Sequence, residues 1–162
     1  MHELKPTRPA TPKPELYAGL RAQAESLLAG EPDRVANAAN LAALIWHTLP
    51  DLNWAGFYFF DGRELVLGPF QGKPACIRIA LGKGVCGSAA QQRQTVIVED
   101  VHAFPGHIAC DVASNSEIVV PLVRGGTLLG VLDLDSPRTK RFDEQDRLGL
   151  EAIAELWMRA SR

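Results

Sequence analysis

The spacing of apolar and polar positions changes period several times along the chain, and each change marks an element. From Glu15 to Leu28, the residues Leu16, Leu20, Leu27 and Leu28 fall near helical spacing, and Gly30 with Pro32 ends the pattern. A second, alanine-rich helix is predicted over Arg34–Thr48, with Leu41, Leu44 and Ile45 as its apolar face and Pro50 closing it. The pattern then becomes strand-like. Trp54–Phe60 and Glu64–Leu67 flank Asp61-Gly62, a strong hairpin signal. Further strands are predicted at Cys76–Ala80, Thr95–Glu99, Ser116–Leu122 and Leu128–Asp133, the last with alternation running on to Asp135. Gly125-Gly126 joins the last two as a hairpin, and Gly84–Ala90 reads as a short helix that begins on glycines. After the last strand, Asp143 caps a helix whose core face is Leu150, Ile153 and Trp157.

Two helices, five or six mostly antiparallel strands and a closing helix make an α+β fold. The expected architecture is a central antiparallel sheet with helices packed on one face and pocket-forming loops, roughly residues 68–75 and 100–115, over the other. Residues 1–14 carry Pro6, Pro9, Pro12 and Pro14 and are expected to form a flexible tail, which leaves 15–162 as a single domain.

Composition narrows the function classes. A chain of 162 residues with 46% hydrophobic content fits one domain with a proper core. A net charge of −2 gives no electrostatic footprint for nucleic acid, and no basic run suggests an anionic membrane. The apolar runs are too short to span a bilayer, and Met1–Pro6 lacks the apolar stretch of a secretory signal. The three cysteines, Cys76, Cys86 and Cys110, are an odd number, so a closed disulfide framework is not expected and a cytoplasmic location is. In that compartment a disulfide is more often catalytic than structural.

Cys110 ends the run Phe104-Pro105-Gly106-His107-Ile108-Ala109 and precedes Asp111, so it follows a Pro-Gly turn and a histidine where a regular element is hard to continue. The competing reading is a small buried hydrophobe in a loop. On the last strand, period two points Asp133 and Asp135 to one face, and Glu117 opens the partner strand. Register is not readable from sequence. If the three carboxylates converge, repulsion and desolvation raise at least one pKa. The alternative is that the aspartates are turn-forming residues ahead of Ser136-Pro137. A zinc site built from His102, His107 and Cys110 with Cys76 or Cys86 is disfavoured, because no CxxC pair occurs and the histidines straddle a Pro-Gly turn. No metal or other cofactor is expected.

In combination these segments resemble a known family. Asn53-Trp54-Ala55-Gly56-Phe57-Tyr58, Ile79–Gly87, the run Phe104–Asp111 and Ser116–Leu122 closely resemble the free methionine-(R)-sulfoxide reductases, GAF-fold enzymes that reduce the free amino acid. The likeness covers about residues 15–160 and all three cysteines in family order; Ala80 stands where the family often has proline. The resemblance implies Cys110 as the attacking cysteine, Cys76 as the usual resolving one and Cys86 as an alternative or auxiliary thiol. It assigns Glu117, Asp133 and Asp135 to the sulfoxide oxygen and the substrate amine, and Trp54 and Tyr58 to an aromatic wall. The implied partners are free methionine (R)-sulfoxide and a thioredoxin-like reductant, with a homodimer left open.

The implied chemistry suits these residue types. A sulfoxide sulfur is a poor electrophile until its oxygen is protonated, which a carboxylic acid kept neutral by its neighbours can do. Thiolate attack leaves a sulfenic acid, a second thiol condenses with it, and a dithiol resets the enzyme. A pocket that pairs a free ammonium should reject peptide-linked methionine. The alternatives are a non-catalytic small-molecule-sensing GAF module and a thiol- or zinc-based interaction protein.

Overall fold

The structure, a computed structural model, describes residues 10–107 and 111–162. Pro14 lies in the first turn of α1 (Lys13–Leu28), where proline costs no hydrogen bond. Tyr17, Leu20, Ala24 and Leu28 recur at three- and four-residue steps and are buried. α2 (Arg34–Thr48) starts on Asp33, whose side chain accepts from the Val35 and Ala36 N–H groups, and it buries Ala38, Leu41, Ala42 and Ile45. β1 (Trp54–Phe60), β2 (Glu64–Gly72) and β3 (Arg78–Ala80) lead to α3 (Gly84–Gln92) and β4 (Val96–Val98). A 3-10 turn at Val101–Ala103 precedes β5 (Ser116–Arg124) and β6 (Thr127–Ser136), and α4 (Glu144–Ala160) closes the fold.

The six strands form one antiparallel sheet in the order β3-β2-β1-β6-β5-β4. Strand alternation divides the core in two. Ala55, Phe57, Ile118, Val120, Leu122, Leu132 and Leu134 face α1, α2 and α4, where the Trp157 ring lies 5.6 Å from Phe57 and 5.7 Å from Phe59. Trp54, Tyr58, Val119 and Val131 face the other way and pack with Val85, Cys86, Ala89 and Ala90 of α3. β1 and β6 approach so closely at Gly130 (φ +155°) that a Cβ there would lie 2.0 Å from the Tyr58 carbonyl oxygen. The α4 start is fixed by a capping box between Asp143 and Asp146. Asp146, with no exposed surface, also accepts from the Tyr17 hydroxyl at 2.7 Å, Lys13 Nζ at 2.5 Å and Arg141 at 3.3 Å, so it ties α1 to α4.

The α+β architecture is borne out, as are both glycine hairpins, α2, and the Asp143 cap with its core face. Four details differ. Lys13 and Pro14, expected in the tail, begin α1, because Lys13 pairs with Asp143 and Asp146. Leu27 is 42% exposed, its expected place in the core taken by Ala24 and Leu28. The expected loop 68–75 is strand as far as Gly72, since Phe70, Gln71 and Gly72 pair with Gly56, Ala55 and Trp54. β3 pairs only with Glu64, Leu65 and Val66, so Pro69 sits where the second edge of β2 needs no N–H. Finally, α3 shares the face expected to hold loops alone.

Candidate active site

On the face opposite α1, α2 and α4, β1, β5 and β6 present their chemistry at one end of the sheet. Glu117 lies opposite Asp135, and Trp54 lies opposite Asp135 from the other side. Asp133 lies between Gly56 and Val119. Because these residues lie an even number of positions apart along each strand, Trp54, Tyr58, Glu117, Asp133 and Asp135 share one face of the sheet and line one cavity. The lip is closed by Lys73, Pro74 and Ala75, by the first turn of α3, and by His107, Asp111 and Ser114.

The aromatic wall is also a brace. Trp54 stacks on Phe70 with ring centres 5.2 Å apart and on Tyr58 at 5.8 Å. A Cβ at Gly56 would lie 2.3 Å from that of Phe70, so only glycine leaves room for this stack. Trp54 Nε1 donates to the Lys73 carbonyl at 3.1 Å and the Tyr58 hydroxyl donates to the Cys76 carbonyl at 3.0 Å. Both rings thus hold the segment that carries Cys76 by their polar edges.

Glu117 and Asp133 are buried and Asp135 is half-buried. Burial, then the neighbouring Asp133 and Asp135 charges, push Glu117 well above the usual carboxylate range. Asp135 is raised by burial and then by Asp133, and burial lifts Asp133 to about 6. One oxygen of Asp133 is buried without a hydrogen-bond partner among the described residues, a cost tolerated where a ligand is to supply the donor. The Cys86 thiol, on α3, donates to Glu117 Oε1 at 3.8 Å. Burial, then Asp133, push this free thiol well above its ordinary range, so it holds its proton and is a poor nucleophile.

Cys110 lies outside the described residues. Its neighbour Asp111 lines the cavity. Asn53 Nδ2 donates to Asp111 Oδ2 at 3.1 Å and to Ser114 Oγ at 3.0 Å, which fixes the turn that follows Cys110. The Ala113 N–H, then Asn53, hold Asp111 below the usual carboxylate range. Cys76 is half-buried beside the cavity lip. The structure therefore gathers Cys86, Glu117, Trp54, Tyr58, Asp133 and Asp135. Sequence reasoning passed over Asn53 and Asp111, and gave His107 only a metal-ligand role; all three stood in the segments that carried the resemblance.

Among the described residues, the one group of three or more ligand atoms close enough to share a metal ion is Cys86, Glu117 and Asp133, within 4.8 Å of one another. It includes neither histidine of the zinc arrangement weighed from sequence. His102 is exposed and its Nε2 lies 3.0 Å from Asn115 Oδ1. Among the described residues no helix is long and apolar enough to cross a membrane.

The GAF domain family model matches residues 36–160. Free methionine-R-sulfoxide reductase of Escherichia coli (strain K12) is 52% identical over 141 residues, covering 87% of this chain and 86% of the relative. The free methionine-R-sulfoxide reductase of Neisseria meningitidis, solved in complex with its substrate, superposes with a TM-score of 0.90 at 47% identity, over 99% of this chain and 95% of that one. A Burkholderia vietnamiensis protein named for a GAF sensor role superposes with a TM-score of 0.91 at 66% identity, over 93% of this chain and 96% of that one. With the shared length, identity and fold, this chain belongs to the free methionine-(R)-sulfoxide reductase family of GAF-domain enzymes.

Proposed function

We propose that this protein reduces free L-methionine (R)-sulfoxide to L-methionine, with Cys110 as nucleophile and Cys76 as resolving thiol. The observation that carries the reading is the buried carboxyl trio Glu117, Asp133 and Asp135 facing one cavity, with one Asp133 oxygen lacking a partner among the described residues. Such a site suits a ligand that brings both a cation and an acceptor oxygen. The ammonium of a free amino acid pairs with Asp133 and Asp135, while protonated Glu117 donates to the sulfoxide oxygen. Trp54 offers an apolar face to the methylthio end. The first turn of α3, Gly84 to Cys86, lines the same cavity with N–H groups that have no partner inside the helix, and these suit the substrate carboxylate.

The electrons balance over two steps. The Cys110 sulfur attacks the sulfoxide sulfur, which is reduced by two electrons and leaves as the thioether, and the oxygen remains on Cys110 as sulfenic acid. The Cys76 thiol then displaces that oxygen as water and closes a disulfide. A thioredoxin-like dithiol restores both thiols by exchange, in a cytoplasmic setting. Cys86, held as a protonated donor to Glu117, takes no part in the first attack.

The reading is tested by incubation with a dithiol and three substrates: the free R epimer, the free S epimer and N-acetyl-methionine sulfoxide. Methionine should form from the R epimer alone. Comparable rates on the N-acetyl compound would show that the ammonium is not read, and tight binding without turnover would select a sensor instead.

A further inference from the structure

Cys86 is the one thiol that the proposed reaction leaves idle, and it lies buried on the wall of the pocket that the reaction uses. A buried cysteine among apolar neighbours is a small filler. This one faces carboxyl groups. Its Sγ lies 3.8 Å from Glu117 Oε1, and Cys86, Glu117 and Asp133 each bring one ligand atom within 4.8 Å of the others. The three residues come from α3, β5 and β6, so regular elements rather than a loop hold the cluster. Asp133 is 5% exposed, and one of its oxygens is buried with no hydrogen-bond partner among the described residues. Among the described residues neither carboxyl pairs with a lysine or arginine; Glu117 Oε2 has His107 Nε2 at 3.8 Å. A buried acceptor left open beside a second carboxyl and a thiol suits a ligand that is positively charged and takes lone pairs.

We propose that Cys86, Glu117 and Asp133 form a binding site for a borderline divalent cation of the zinc class, and that the bound ion shuts substrate out of the pocket. The donor set selects the class. One thiolate with two carboxylates suits Zn²⁺ or Co²⁺, whereas Mg²⁺ and Ca²⁺ take oxygen ligands throughout. Bonds of about 2.3 Å to sulfur and about 2.1 Å to oxygen put those two atoms about 3.6 Å apart on a tetrahedral zinc. Cys86 Sγ and Glu117 Oε1, at 3.8 Å, already stand near that spacing, and a small side-chain shift brings in the Asp133 oxygen. The fourth position faces the cavity that all three residues line, where water fills it. The thiol and any protonated carboxyl release their protons to solvent as the ion binds, and nothing is oxidised or reduced. In the reading above, Asp133 pairs with the substrate ammonium and Glu117 with the sulfoxide oxygen, so one ion held by both occupies two substrate positions at once. The ion is thus an inhibitor rather than a cofactor, and Cys86 supplies the soft ligand that makes a carboxyl pair into a metal site.

The ion site stands on the cluster alone, and only its competition with substrate rests on the proposed reduction. To keep Cys76 and Cys110 from chelating metal, the host for every measurement is the full chain carrying Cys76→Ser and Cys110→Ser, reduced and kept under nitrogen. Titration with Co²⁺ should give a thiolate-to-cobalt charge-transfer absorption that saturates at one ion per chain, and Zn²⁺ should displace it. Cys86→Ser, Glu117→Gln and Asp133→Asn, each added to the host, should weaken zinc binding in equilibrium dialysis about tenfold or more. In calorimetry, zinc should raise the apparent Kd of product methionine in proportion to its own concentration. A host with no saturable absorption, or a zinc affinity that any of the three replacements leaves within about twofold of the host's, would overturn the site. Zinc and methionine binding together without weakening each other would overturn the exclusion of substrate. A host that takes up zinc and binds no methionine would leave the ion site standing and count against the functional reading instead. Should Cys86→Ser fail to fold, the two amide variants, which keep the shape of each carboxyl, decide; should none of the three fold, the cluster is structural and the inference is overturned.

Discussion

Replacing Asp133 by asparagine removes one charge from the buried trio with almost no change of shape, and its effect on stability follows from the site. Asp133 is 5% exposed, has a buried oxygen with no partner among the described residues, and is lifted by burial from 3.8 to about 6. A shift of about two pKa units at 1.36 kcal/mol each comes to roughly 3 kcal/mol. The sign runs against stability. The unfolded chain releases the Asp133 proton near 3.8 and the folded one near 6, so between those values the folded state binds more protons. Wild type therefore keeps its full stability below about 4 and loses roughly 3 kcal/mol from this group as pH rises through 6. The amide has no such loss. Urea unfolding of both proteins from about pH 4 to pH 8 should show curves that coincide at the acid end and separate as pH rises. Asp133→Asn should end up to roughly 3 kcal/mol more stable, about 6–12 °C in Tm for a domain of this size. Activity should fall at the same time, because the stabilising charge removal takes away a partner of the substrate ammonium. A variant that is less stable than wild type at pH 8, or a difference that does not change with pH, would refute the reasoning.

Three further outcomes follow from the same geometry. Glu117→Gln keeps a hydrogen-bond donor in the pocket and cannot give up a proton, so the single-turnover rate should drop about 10²–10⁴-fold with methionine binding retained; an unchanged rate would remove Glu117 as the acid. Cys76→Ser should leave the first methionine formed and slow the dithiol-dependent cycle, with the disulfide to Cys110 absent on peptide mapping; a Cys86–Cys110 bridge in wild type would reassign the resolving role. Asp146→Ala strips Lys13, Tyr17 and Arg141 of their buried shared acceptor and should cost about 3–5 kcal/mol in urea unfolding, far from the cavity.

Local signals in the chain were read where the physics is local. Asp143 before an apolar stripe is a cap wherever the helix packs, and Asp61-Gly62 or Gly125-Gly126 between strand-like runs is a turn in any context. The common face of Asp133 and Asp135 follows from the pleat alone. What needed a partner strand was out of reach. The opposition of Glu117 to Asp135, which makes the trio, depends on the β5–β6 register, and that register shifts between Leu122 and Val123. Gly68-Pro69 looked like the start of a loop because sequence does not reveal that β3 is too short to claim that edge of β2. Leu27 looked like core because a four-leucine stripe tolerates two helical phases, and only packing against the sheet selects the one through Ala24. At the site, His107, Asp111 and Asn53 carried no periodic signal. Their roles come from tertiary contacts, and their place in the segments that carried the resemblance was the pointer to them.

The central claim is that Cys110 attacks a free sulfoxide held by this pocket. Wild type and Cys110→Ser, each fully reduced and freed of reductant, should be mixed with excess free L-methionine (R)-sulfoxide, and the methionine released counted per protein. Wild type should release one equivalent in a burst and stop, while Cys110→Ser, folded and still able to bind methionine, should release none. A burst of the same size from Cys110→Ser, or no methionine from wild type, would contradict the account.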